Sequence, residues 1–165
     1  AVMSSMASSV ITSSTAQAST SGTSIDFTGL PAWVKRITVM FNGVSTTGTS
    51  IIQVQFGTGS TTYTTTGYLA IAMGFGPTAG AASAITTGFG CADGNVATNT
   101  HSGNYVFTNV TGNTWTCTAQ VYRNSTAIGF GAGSITLGAV LTAVRITTVN
   151  GTDTFDAGSI NILYE

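Results

Sequence analysis

The stretch "RITVMFNGVSTTGTSIIQVQF", Arg36 to Phe56, has a counterpart in "RITTVNGTDTFDAGSINILYE", Arg145 to Glu165. Each opens Arg-Ile-Thr, passes an Asn-Gly pair and a Gly/Ser segment, and ends in an alternating apolar run. In the first, Ile52, Val54 and Phe56 fall on one face and Gln53 and Gln55 on the other, the signature of a half-buried strand. In the second, Ile160, Ile162 and Tyr164 alternate in the same way. An Asn-Gly pair readily takes the positive φ values of a tight turn, so both stretches read as β-hairpins.

Working outward, the same period-2 pattern recurs in "SGNYVFTNV", "NTWTCTAQVYR" and "GSITLGAVLTAVRITTV", separated by turn residues, with no convincing amphipathic helix. Pro31, lacking an N–H, breaks the strand pattern that starts at Ser24. The expected fold class is all-β, a β-sandwich or jelly roll. Residues 25–165 form its single domain. Residues 1–24, uncharged and without helical periodicity, are an extended N-terminal arm or linker. A closed outer-membrane barrel also fits the length of 165 residues, but Thr and Gln interrupt the faces that would have to form its outward apolar band. The segment Gly74–Gly94, rich in Gly and Ala, is the least regular, and reads as a contact loop at a subunit axis or distal tip.

Charged residues are 5% of the chain, against about 25% in an average soluble domain. Mean hydropathy is +0.35. Ser and Thr, about 30% of residues, make the surface polar but nearly chargeless. A free monomer usually relies on charge to stay apart from its copies, so this composition points to a surface covered by neighbouring subunits. Net charge is −1, and Lys35, Arg36, Arg123 and Arg145 form no basic stripe, so nucleic acid is not an expected partner. No apolar run of about 18 residues exists to insert in a membrane as a helix, and no signal-peptide pattern opens the chain.

Little points to catalysis. His101 lies in "TNTHSGN", read as a solvated loop, with no nucleophile elbow to serve. Asp153 and Asp156 share "NGTDTFDAGS" and could meet as an acid pair or, with Asn150, as a calcium site; carboxylates in tight turns more often bond their own backbone. No phosphate-binding glycine motif occurs. The expectation is therefore a protein that is no enzyme, with no catalytic, cofactor or metal residues. Cys91 and Cys117 are either buried apolar thiols or a disulfide worth roughly 3 kcal/mol. Sequons at Asn109, Asn124 and Asn150 match chance in so Ser/Thr-rich a chain. Aromatic rings give large contact area at low entropy cost, which selects Tyr63, Tyr68, Phe75, Phe89 and Tyr122 as candidate contact residues.

"TSIDFTGLPAWVKRITVMFNGVSTTGTS" and "VRITTVNGTDTFDAGSINILYE" resemble the uncharged Thr/Gly-rich β domains of tailed-bacteriophage virion proteins, especially those near the C-terminal ends of tail fibres and appendages. The likeness covers about residues 20–60 and 140–165 and carries over no catalytic residue. It implies a structural subunit of a virion or other extracellular particle: tail fibre, appendage or decoration protein. Its partners would be copies of itself as a homotrimer or higher assembly, other virion proteins, and a host-surface receptor. The alternative is a self-polymerising pilus or surface-filament subunit, with residues 1–24 as the donor strand that completes the next subunit's sheet.

Overall fold

The computed structural model describes residues 10–59, 61–77, 80–124 and 127–165, and among them every regular element is a strand. In chain order these are β1 (Thr12–Ser13), β2 (Gln17–Ala18), β3 (Ser24–Thr28), β4 (Arg36–Thr46), β5 (Ile52–Gly57), β6 (Leu69–Phe75) and β7 (Gly80–Ile85). There follow β8 (Phe89–Gly90), β9 (His101–Thr111), β10 (Thr114–Arg123), β11 (Ala127–Thr136), β12 (Ala143–Thr148) and β13 (Phe155–Tyr164). They build two antiparallel sheets. The larger runs β1-β13-β4-β9-β10-β11-β6-β7, with β2 also on β13; the smaller runs β3-β12-β5-β8.

Between the sheets lies one apolar core. Phe56 of the smaller sheet meets Phe107 (ring centroids 4.9 Å) and Trp115 (5.7 Å) of the larger. Phe89 packs on Phe56, Phe107 and Tyr68 at 5.0–5.5 Å, mostly edge to face, as ring quadrupoles prefer. The all-β sandwich expected from strand periodicity is the observed architecture.

The twin stretches are not hairpins. In the first, β4 lies in the larger sheet and β5 in the smaller; in the second, β12 lies in the smaller and β13 in the larger. Each stretch is an arch that crosses the core, and the two arches pair with each other, β4 with β13 and β5 with β12. The local pattern of a hairpin and of an arch is the same, because alternation records which face is buried and not which way the chain leaves the sheet. Asn42-Gly43 shows the difference. Gly43 (φ +65°) sits where the register between β4 and β9 skips, a bulge inside a strand that continues through buried Val44, Ser45 and Thr46. Only in the second copy does the glycine, Gly151 (φ +69°), turn the chain. Bulges of this kind let strands bend and switch sheets.

The two connecting turns are then tied together. Thr47 N–H donates to the Thr154 carbonyl (2.9 Å), Ser50 N–H to Asp153 Oδ2 (2.9 Å), and Asn150 N–H to Ser50 Oγ (3.0 Å).

Gln53 and Gln55, expected on a solvated face, are both buried. Residues 86–88 fold over the outer side of β5, where Gln53 Oε1 accepts from Thr87 Oγ1 (2.8 Å) and Gln55 Nε2 donates to the Thr87 carbonyl (2.9 Å). Their amides are satisfied, so burial leaves no orphaned polar group there.

In its described residues Gly74–Gly94 is also not one long loop. It contains the end of β6, the β6–β7 hairpin, and β8, which lies against the inner side of the larger sheet. Glycines of β6 and of the facing β11 are what order it. A Cβ on Gly129, Gly131 or Gly74 would overlap Ala92, the Gly90 carbonyl or the Asp93 carbonyl. Bare backbone on β11 and β6 thus admits the chain around residues 89–93 at a distance no side chain would allow. Asp93 is fixed there by Ser83 Oγ (2.7 Å), and its carbonyl accepts from Arg123 (2.8 Å).

Of the arm, residues 1–9 lie outside the described residues. Residues 12–13 and 17–18 pair with the chain's own β13, and Ser19, fully buried, bonds the Ala157 carbonyl through Oγ (2.7 Å).

Candidate interaction surface

Across most of the sandwich, large apolar side chains point in. On β6 the order is reversed: Ala70, Ala72 and Gly74 face the core, while Leu69 (74% exposed), Ile71 (53%) and Phe75 (47%) face solvent. The register carries this face across neighbouring strands. Ile71 stands beside Ala132 of β11 and Ala84 of β7; Met73 stands beside Phe130 and Ala82; Phe75 stands beside Ile128 and Gly80. The Phe75 and Phe130 rings meet edge to face at 6.5 Å. A shallow concavity of about 460 Å³ lies over Leu69, Ile71 and Ala84.

The inversion follows from the glycines. Where β11 and β6 must admit residues 89–93 against their inner side, only Gly and Ala fit, so the strands' large residues are left to the outer side. No charged residue occurs on β6, β7 or β11. The sheet ends at β7, "GAASAI", which pairs with β6 over all six residues without a bulge and has no second partner strand among the described residues. Natural edge strands are usually blunted by lysine, proline, bulges or shortness. β7 carries none of the first three.

The candidate contact residues divide. Phe75 and Tyr122 (50% exposed) are on this outward side of the sheet, in one cross-strand row with Ile128 between them. Tyr68 and Phe89 are core residues, a correction to the expectation that they make contacts. The Tyr68 hydroxyl accepts from the Phe56 N–H (2.8 Å) and donates to the Thr64 carbonyl (3.1 Å), and burial pushes its pKa up to about 12. Tyr63 is on the smaller sheet's side. Its ring lies 4.0 Å beneath the Arg145 guanidinium, which is held in a two-pronged pair with Asp26 at 2.8 Å on each prong. Partial burial and the neighbouring Asp26 charge push the Tyr63 phenol up to about 12. Leu69, Ile71 and Phe130 were not selected from the sequence. Their signal was there, in the large–small alternation of "LAIAMGF" beside the Gly-x-Gly-x-Gly of "GFGAG", but such alternation normally marks the large residues as core.

His101, Asp153, Asp156 and the two cysteines are buried or hydrogen-bonded within the fold. His101 is not in a loop but at the start of β9, buried, with Nδ1 3.2 Å from the Val44 carbonyl. Desolvation lowers its pKa, so it is neutral in the fold. Asp153 serves Ser50 and Asn150, while Asp156 Oδ1 accepts from Ser45 Oγ (2.6 Å), so the two carboxylates are committed to different partners. Among the described residues no three His, Cys, Asp or Glu come together as metal ligands. Cys91 and Cys117 are free buried thiols, and burial pushes the Cys91 thiol up to about 12. No protein-family model, curated protein or solved structure matches the chain.

Proposed function

We propose that this chain is a non-enzymatic structural subunit that assembles with copies of itself in an extracellular particle, and that a phage virion appendage is the particle type. The observation that carries the assembly is the chargeless apolar outer face of β6, β7 and β11, bounded by an unblunted edge strand. Contiguous apolar surface of this kind marks interaction sites on soluble proteins. A second copy is the occupant that fits best. The face offers no charge to complement in a charged partner, and an uncharged edge pairs readily with its own kind. The virion assignment rests on the resemblance of residues 20–60 and 140–165. The nested pairing of β13 with β4 and of β12 with β5, in opposite sheets, supports a jelly-roll winding.

The filament alternative needs the arm to leave its own chain. Pairing of residues 12–13 and 17–18 with the chain's own β13 favours the closed subunit.

The test is the mass of the purified chain in solution by light scattering over a concentration series. A discrete oligomer is expected, reduced to monomer by Leu69→Asp with Ile71→Asp. A wild-type monomer at every concentration overturns the proposal. Deletion of residues 1–24 separates the two readings, since a filament subunit loses assembly and a closed oligomer keeps it.

A further inference from the structure

Next to the apolar face, on the same side of the larger sheet, the outward residues change character. Over β9, β10 and the near side of β11 lies an open groove of about 710 Å³, within the size range of small-molecule sites. Its rows follow the register. Asn104 of β9 stands opposite Gln120 of β10, and Gln120 opposite Phe130 of β11. One row on, Ser102 stands opposite Tyr122 and Tyr122 opposite Ile128; on the other side, Val106 stands opposite Thr118.

Three properties of this groove define its ligand. First, the Asn104 and Gln120 amides are exposed and make no hydrogen bond to another described residue, unlike those of buried Gln53 and Gln55, which are hydrogen-bonded within the fold. Side by side, they present four N–H donors and two carbonyl acceptors. Secondly, the Tyr122 ring, two residues along the strand from Gln120, and the Phe130 ring, directly across from it, flank the amides with exposed aromatic surface. Thirdly, no charged side chain lines the groove. Adjacent donors and acceptors between two rings match a molecule with alternating hydroxyls and C–H faces. Absence of countercharge disfavours an anion.

We infer that the β9–β10–β11 groove binds a short neutral saccharide, with Asn104 and Gln120 bonding its hydroxyls and Tyr122 and Phe130 packing on its ring faces. The inference rests on the proposed assembly leaving this part of the sheet open, with the boundary between the two surfaces running along β11. It gives the adhesive role a chemical class of receptor, and it places the aromatic contact function at Tyr122.

The experiment is isothermal titration of the 165-residue chain with malto-, cello-, chito- and mannotriose, and with trigalacturonate as the anionic control. At least one neutral trisaccharide is expected to bind saturably at millimolar concentration or below. Tyr122→Ala, and separately Asn104→Ala with Gln120→Ala, should each weaken it by about tenfold or more, with the mass in solution unchanged. The Leu69→Asp, Ile71→Asp variant should lose assembly and keep the sugar. That combination separates failure of the groove from failure of the assembly. No binding by any neutral trisaccharide, preference for trigalacturonate, or affinity untouched by the groove variants overturns the inference. So does a change of oligomeric mass in the groove variants without sugar binding, which would make this face a contact between copies.

Discussion

The two halves of the larger sheet solve opposite packing problems. At the arch end, β4 and β13 point Ile37, Val39, Phe41, Ile160 and Ile162 into the core, where large rings and branched side chains fill the space between sheets. At the far end, β6 and β11 point Ala and Gly inward, because what they cover is not a sheet of side chains but the backbone of residues 89–93. In the first half, stability comes from volume. In the second it comes from close approach, and the displaced volume reappears outside as an apolar face. A strand's inward side is thus not always its greasier side.

The largest effect should come from breaking the volume-filled half. Phe56, fully buried, touches Phe89, Phe107 and Trp115, so Phe56→Ala should cost about 3–5 kcal/mol in denaturant unfolding. The close-approach half should fail in the opposite sense, by addition. Gly131→Ala puts a methyl on the Gly90 carbonyl and should cost about 1–3 kcal/mol, whereas Gly138→Ala, with nothing within 4 Å, should be neutral or slightly stabilising. Equal stabilities for the two variants would show that the two halves do not differ as described.

A smaller effect belongs to His101, which anchors the start of β9 from inside the fold. Its folded pKa lies below the ordinary value of 6.5, so the unfolded chain takes up a proton first as pH falls. Stability should therefore hold above pH 6.5, decline as pH drops through that value, and level off once the folded histidine also protonates. Urea unfolding across this range, compared with His101→Gln, would reveal the contribution as a step that the variant lacks.

The contrast also explains what was legible in the sequence. Strand periodicity identified β4, β5, β9, β10 and β13, and hence the fold class, because in those strands the large residues do face inward. It could not distinguish a hairpin from an arch. That depends on whether Gly43 makes a turn or a bulge, and the β4–β13 pairing that decides it joins residues over a hundred positions apart. Phe75 and Tyr122, candidate contacts from the sequence, are exposed, while Phe130, Leu69, Ile71 and the Asn104–Gln120 pair were not candidates. Their juxtaposition is a matter of register, which only the neighbouring strands define. Tyr68 and Phe89 were chosen for ring size, and ring size is also what a core selects.

The paired arches bear on how the chain is made. The middle strand of the smaller sheet, β12, lies between β3 and β5, and β13 borders β4, so the strands read first depend on the strands read last. During synthesis β3, β4 and β5 emerge with their central partners still unmade, and the contacts that secure them close loops of about a hundred residues. Such non-local pairing slows folding and leaves open edges exposed in the meantime. Emergence of β12 and β13, more than any early hairpin, should set the moment at which this sandwich closes.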